Sequence, residues 1–322
     1  MENNEIKRIP NVSSSPHFRS KLSTHREMLD VIIAMLPITI WGVVHFGIYS
    51  LVIMIVTVAV AVASEYIYEK ALGLPITIGD LSAVVTGMIL SLNMPPQIPV
   101  WVPAVGAVFA IVVVKQLYGG LGQNFLNPAL AGRCFLHIAF AGLMNDFSCT
   151  KIGFDAMTSA TPLAEIEAGT YLANGGTLGN LFLGNTAGAI GEVSVLCLLI
   201  GIGYMLYRNV ITIQIPASYL ITFAVFELIA GGFNVQYVLM QLMAGGVLFG
   251  ACFMANDYVT SPVTHKGQIL YGVFIGLMTG IIRTFAPSAE GVSYSILLGN
   301  LLVPIFERYT IPTPFGMGGS KK

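Results

Sequence analysis

Three groups of residues in this chain of 322 have types and spacing that could do chemistry. The first is Asp155 followed by Thr158-Ser159-Ala160-Thr161-Pro162, small hydroxyl side chains ahead of a proline. Proline pushes the residue before it into an extended conformation, so the run reads as a turn with Thr161 on a loop. The second is Gly119-Gly120-Leu121-Gly122-Gln123-Asn124-Phe125-Leu126-Asn127-Pro128. Its glycines permit close backbone approach, and the amides of Asn124 and Asn127 offer donors and acceptors to the polar edge of a flat ligand. Asn-Pro is equally an ordinary helix start, and with no strand before the glycines a dinucleotide fingerprint is rejected. The third is Asp80, Glu227 and Asp257, acids in or at the ends of apolar stretches, where an ionised carboxylate costs roughly 3 kcal/mol on insertion scales. Asp80 and Asp257 are the ion-pathway candidates, against the plainer reading that each caps a broken helix. Glu65 and Glu69 are assigned instead to the cytoplasmic interface beside Lys70.

The elements that position these groups follow from composition. Only 31 residues (15 Lys+Arg, 16 Asp+Glu) are charged, one in ten against about one in four for soluble domains. With 55% apolar residues, 35 glycines and a mean hydropathy of +0.78, the chain reads as an all-α polytopic membrane protein. A net charge of −1 offers nothing to nucleic acid. The cysteines (Cys134, Cys149, Cys197, Cys252) are too far apart for a local metal or disulfide motif, and five scattered histidines compose no hydrolytic triad.

Apolar stretches of about 20 residues place ten spans near 28–47, 48–66, 78–95, 99–116, 125–143, 188–207, 210–230, 236–255, 268–285 and 292–308. Asp80 opens the third, Asn93-Met94-Pro95-Pro96 ends it, and Asn256-Asp257 ends the eighth, so these two are the expected broken or re-entrant spans. Basic residues orient the chain. With residues 1–27 as a cytoplasmic arm, 12 of the 15 Lys and Arg fall inside, leaving Lys151 and Arg283 outside and Arg133 within a span. The domains are then the arm 1–27, a membrane repeat 28–143, an extracytoplasmic loop 144–187, a second membrane repeat 188–308 and a cytoplasmic tail 309–322. Both termini are inside and the Thr161 loop is outside. The two repeats echo one another: Asp80 with Asp257, Pro96 with Pro262, Lys115 with Arg283, and Asn127-Pro128 with Asn300 to Pro304. Copies five spans apart have opposite topology, an arrangement that places ligand sites at the repeat interface.

Asp155-Ala156-Met157-Thr158-Ser159-Ala160-Thr161 resembles the flavinylation motif of a family of bacterial membrane subunits. That family comprises the D subunit of Rnf-type ferredoxin:NAD oxidoreductase complexes and the B subunit of sodium-pumping NADH:quinone oxidoreductases. Ser15-Pro16-His17, Asp80 to Gly87, the Gly119 to Ala129 run and Glu290-Gly291-Val292 resemble further family landmarks, so the likeness covers nearly the whole chain. Ser159 stands where many members have glycine. The short N-terminal arm resembles the Rnf branch more than the quinone-reductase branch.

The resemblance implies a urea-transporter-like fold of two inverted five-helix repeats. It also implies FMN joined by a phosphoester to Thr161, and a non-covalent riboflavin near Gly120, Gly122, Asn124 and Asn127. The partners it implies are membrane iron–sulfur subunits, a second FMN-carrying subunit, soluble subunits that react with ferredoxin and NADH, and a flavin transferase for maturation. The activity is electron transfer between reduced ferredoxin and NAD coupled to Na⁺ or H⁺ translocation in a bacterial or archaeal cell membrane. The competing classes are a redox-free carrier or channel and a passive membrane scaffold.

Overall fold

The computed structural model describes residues 23–147, 162–173, 175–286 and 291–312, and among these every regular element is a helix. The motif residues Asp155, Thr158, Ser159, Ala160 and Thr161, like Ser15-Pro16-His17 and Glu290, lie outside the described residues. The first half holds α1 (Thr24–Phe46), α2 (Ile48–Ala71), α3 (Ser82–Leu92), α4 (Trp101–Val108) and α5 (Pro128–Ala139). α4 runs on as a π-helical segment to Lys115 and a last tight turn to Tyr118. Short helices α6 (Ala141–Met144), α7 (Pro162–Glu167) and α8 (Leu178–Leu183) follow. The second half holds α9 (Val195–Tyr207), α10 (Gln214–Ala230), α11 (Val235–Met243), α12 (Val247–Phe249, continued as π-helix to Met254), α13 (His265–Phe285) and α14 (Val292–Thr310).

Each of the ten apolar stretches carries a helix, but four of them are long and apolar enough to cross a membrane unbroken: α1, α2, Trp101–Tyr118 and α13. The eighth stretch is bent by 64° between α11 and α12. Its break falls at Ala244-Gly245-Gly246, with Gly245 at φ +66°, while Asn256-Asp257 follow its end, where the sequence places them. The third stretch is short because Leu81 takes a left-handed conformation (φ 64°) and α3 begins only at Ser82. The sixth is shortened for a different reason. Residues 188–193 stay non-helical and place the N–H groups of Ile190 and Gly191 on the carbonyls of Met94 and Leu92 (3.1 and 2.7 Å). These bonds satisfy the carbonyl end of α3 inside the protein, which irregular backbone at membrane depth requires.

The halves use the same packing plan: α2 lies against α3 and α4, and α10 against α11 and α13. They meet through α1 on α9 and α5 on α14. Without a hydrophobic drive between helices in lipid, such contacts depend on close backbone approach at small residues. Gly272, Gly276 and Gly280 of α13 do this against Ser218, Tyr219 and Phe226 of α10, and Gly201 of α9 against the Ala34 carbonyl of α1. A methyl group at Gly201 collides with that carbonyl and with the Phe253 ring at 2.9 Å. Gly201→Ala is therefore expected to cost about 1–3 kcal/mol, read as a lower thermal midpoint of the detergent-solubilised chain. An unchanged midpoint would contradict this packing.

Helix ends sort to two ends of the molecule. At one, His25 bonds the Gly79 carbonyl (2.7 Å), Arg208 pairs with Asp30 (3.1 Å), Thr212 bonds Gln268 (3.1 Å) and Glu307 accepts from the Val263 N–H (3.3 Å). At the other, Tyr49 donates to the Ile98 carbonyl (3.1 Å), and Gly245 faces Arg283 and Leu163 of α7, which a side chain there would meet.

Candidate functional site

A cavity of about 340 Å³ opens at the first of these ends, walled by Ser82, Lys115, Asn124, Asn127, Asn256 and Asp257. Its size falls within the usual range for small-ligand sites, roughly 300–1,000 Å³. Six stretches far apart in sequence build it: the starts of α1 and α3, the end of the α4 segment, the glycine-rich run with the start of α5, the end of α9 with the turn after it, and the end of the bent eighth span with the residues after it.

Asn127 resolves into the helix-start reading. Its Oδ1 accepts from the N–H groups of Ala129 and Leu130 (3.1 and 3.3 Å), Pro128 takes the first helical position, and its Nδ2 donates to the Met254 carbonyl (3.3 Å). The side chain thus caps α5 and ties it to the second half. Asn124 differs: Nδ2 holds the Leu126 carbonyl at 3.0 Å, while Oδ1 is buried with no partner. Asn256 repeats that pattern, with Nδ2 on the carbonyls of Ala251 and Cys252 (2.8 and 3.3 Å) and a buried Oδ1 left over. Two unused carbonyl oxygens on one cavity wall suit a ligand edge that carries N–H donors, because a buried acceptor without a partner is otherwise costly. Gly120 and Gly122 do not line the cavity. With φ of 89° and 92° they turn the chain between Tyr118 and Asn124, so their contribution is indirect.

The ion-pathway candidates gather near the same cavity. Asp257 lines it, accepting from the Val259 N–H and the Thr260 hydroxyl (both 3.2 Å). Asp80 sits one step behind, accepting from Ser82 through N–H (2.8 Å) and hydroxyl (2.6 Å). Both acids do cap local turns. They do not occupy matching places, since Asp80 precedes α3 whereas Asp257 follows the broken span; nor do Asn127, a cap, and Asn300, inside α14.

Glu65 and Glu69 correct the interface reading. Both are buried, and neither pairs with Lys70, whose ammonium lies over the Tyr66 ring at 5.4 Å. Glu69 binds the N–H (3.0 Å) and hydroxyl of Thr77. Glu65 accepts from Lys115 Nζ (2.6 Å) and Gln116 Nε2 (2.7 Å), and Lys115 also donates to Ser82 (2.6 Å). A second buried pair, Arg133 with Glu192 (3.3 Å), lies between the halves, where Arg133 also reaches Asn93 (2.6 Å) and Ser293 (3.2 Å). Residues 50 or more apart in sequence make these two ion pairs, a relation no local spacing announces.

A family model described as "NQR2, RnfD, RnfE family" matches residues 11–316. The chain belongs to this family. Its relatives in the NQR2, RnfD, RnfE family include the D subunit of a Na⁺-translocating ferredoxin:NAD⁺ oxidoreductase complex of Acetobacterium woodii, 47% identical over 97% of this chain and 96% of the relative. The D subunit of a proton-translocating ferredoxin:NAD⁺ oxidoreductase complex of Clostridium ljungdahlii is 39% identical over 96% and 97%. The D subunit of an ion-translocating oxidoreductase complex of Actinobacillus succinogenes is 34% identical over 95% and 98%. Near-complete coverage in both directions means that the cavity, the bent eighth span and the loop of α7 all fall within the matched length.

Proposed function

We propose that this chain is the D subunit of an Rnf-type complex, coupling electron transfer between reduced ferredoxin and NAD to ion translocation. The observation that carries this is the 47% identity along nearly the full length of a protein with that role. Ferredoxin, nicotinamide and iron–sulfur chemistry is assigned to partner subunits, because the four dispersed cysteines offer no local cluster motif. The ten apolar stretches are read as ten spans in two inverted repeats, supported by the shared packing plan of the halves. The N-terminal end of α1 faces the cytoplasm and α7 the outside, in keeping with the distribution of basic residues.

Thr161 is the attachment point for FMN and the cavity the site of a second flavin, riboflavin. A flavin supplies one- and two-electron chemistry when bound; the protein residues fix its place. The hydroxyl of Thr161 would carry the phosphoester, a separate transferase supplying the flavin phosphate from an activated dinucleotide whose phosphoanhydride breaks and whose nucleoside monophosphate leaves. In the cavity, the free carbonyl oxygens of Asn124 and Asn256 would accept from the single ring N–H of the oxidised flavin and from a ribityl hydroxyl. Acids outnumber free cations there, because Lys115 is held by Glu65, so the wall favours a ligand without a phosphate.

Intact-chain mass spectrometry tests the first assignment through an FMN adduct on the purified protein. Acid extraction tests the second through released flavin. Asn124→Leu is expected to lower the extractable flavin at least about tenfold, as loss of a well-made buried hydrogen bond predicts, and to leave the adduct intact. Asn127→Ala is expected instead to destabilise the fold by about 1–2 kcal/mol through the lost cap. Undiminished extractable flavin in Asn124→Leu argues against this cavity as the site.

A further inference from the structure

Glu227, an acid in an apolar stretch, has no part in the cavity, which opens at the other end of the molecule. It sits in the last turn of α10, 1% exposed, and its Oε1 is buried without a hydrogen-bond partner. Arg283 of α13, 4% exposed, is near enough for each to act on the other's charge. Yet among the described residues no ion pair joins them. The guanidinium is engaged elsewhere: Nη1 donates to the Gln241 carbonyl (2.9 Å) and side-chain oxygen (3.1 Å), and Nη2 to the Ala244 carbonyl (3.3 Å). Its Nε has no hydrogen-bond partner. An unused acceptor on the acid and an unused donor on the base therefore share one buried cluster. An ionised carboxylate in such a place is held by a charge-assisted bond, as Glu65 is by Lys115 at 2.6 Å. Without one, a buried carboxylate is costly to keep charged and takes a proton instead.

The groups facing Glu227 come from three helices around this end of α10. α13 brings Arg283, α11 brings Tyr237 and α7 brings Glu167. The Tyr237 ring lies 2.5 Å from where a Cβ of Gly231 would stand, just past α10, and its hydroxyl accepts from Gln241 Nε2 (3.0 Å). Farther along α10, Tyr219 bonds Thr279 (3.0 Å) and faces Cys252 of the π-helical segment, about two turns from Glu227. Glu192, paired with Arg133 at 3.3 Å, also acts on Arg283. Glu167 ends α7 and is exposed. Partial burial raises its carboxyl above the ordinary value, and Arg283 pulls it back. One guanidinium is thus shared by an acid open to water and an acid closed off from it.

We propose that Glu227 is a proton-binding site, filled from and emptied to water at the α7 end by way of Glu167, with Arg283 as its alternating partner. When Glu227 gives up its proton, its bare oxygen and the unused Nε of Arg283 become a matched pair, which draws the guanidinium off the carbonyls that end α11. Proton uptake returns it to them. Water supplies and accepts the proton, and no other species moves. A hard cation takes about six or more oxygen ligands, whereas Glu227 offers one free oxygen. As a step in ion translocation the site rests on the reading above; proton binding itself is a property of this chain alone.

The test is pH-difference infrared spectroscopy of the full chain in lipid nanodiscs. Wild type is expected to show a carboxylic-acid C=O band that fades reversibly as pH is raised from mildly acid to mildly alkaline, and Glu227→Gln to lose it. Arg283→Gln, which removes the cation that favours the carboxylate, is expected to tighten proton binding at least about tenfold, read from the midpoint of that band. Glu167→Gln removes a neighbouring negative charge and is expected to loosen it about twofold. Sodium added at fixed pH is expected to leave the band in place. No such band in wild type, its persistence in Glu227→Gln, an unmoved midpoint in Arg283→Gln, or its loss on adding sodium overturns the inference. Should Glu227→Gln not fold, Glu227→Asp keeps the acid and moves the carboxyl, and an unmoved band in that variant overturns it equally. A Glu227→Gln chain that loses the band while its assembled complex translocates ions at the wild-type rate removes the role in translocation and leaves the proton site standing.

Discussion

A Thr161→Ala chain is expected to lose its flavin fluorescence completely on a denaturing gel under ultraviolet light, while the wild-type band survives. Denaturation releases any flavin held by shape and hydrogen bonds, so a band that persists must be covalent. The alanine has no oxygen to bear a phosphoester, which makes the expected effect all or none. Thr161→Ser keeps the hydroxyl and is expected to keep part of the signal. The hydroxyls of Thr158 and Ser159 are the internal controls, since they stand in the same run and differ in not preceding Pro162. A fluorescent Thr161→Ala band, or an intact mass still carrying the FMN adduct, would sink the assignment. The same variant leaves the cavity untouched, so acid-extractable flavin is expected to remain at the wild-type level and to separate the two sites.

The fold is legible in the sequence wherever apolarity alone decides it. Ten apolar stretches form ten helical regions, and the third and eighth are irregular, as Asp80 and Asn256-Asp257 suggest. The position of the eighth break is not legible from those polar residues. It follows from Gly245 and Gly246, where a left-handed φ and the closeness of Glu192 to Gly246 leave no room for a side chain. The sixth span is short because Gly191 lets Ile190 and Gly191 bind the end of α3, a tertiary demand that local hydropathy does not register. Asn124 and Asn127 look alike in sequence, and only burial and hydrogen bonding divide them into a residue with a free acceptor and a helix cap. Asn256 joins Asn124 through the same two properties, and its one signal in the sequence is a polar residue ending an apolar stretch.

Charge divides in the same way between what is local and what is not. Scarce charges identify the membrane class, because that depends on counts along the chain. Where the acids sit in the protein depends on partners. Glu65 looks interfacial beside Lys70 in sequence, yet it points inward because Lys115, from another helix, offers its ammonium at 2.6 Å. Relatives of 47% and 39% identity carry Na⁺ and proton in their names.

The Glu65–Lys115 pair carries the second large prediction. Both side chains are at most 2% exposed, and the lysine is held on one side by the carboxylate and on the other by the Ser82 hydroxyl. Removing one partner leaves a bare charge in a low-dielectric interior, which costs about 3–5 kcal/mol, whereas replacing both by apolar residues of similar size is often neutral. Lys115→Met is therefore expected to lower the thermal midpoint of the purified chain sharply, and Glu65→Leu likewise. The double variant is expected to recover most of the loss, because it removes the unpaired charge that each single variant leaves behind. Lys115 also walls the cavity. Recovery of stability in the double variant without recovery of extractable flavin would show that the pair shapes the ligand site beyond holding the helices. If Lys115→Met melts at the wild-type temperature, the pair is not the buried, mutually dependent contact that its distances imply.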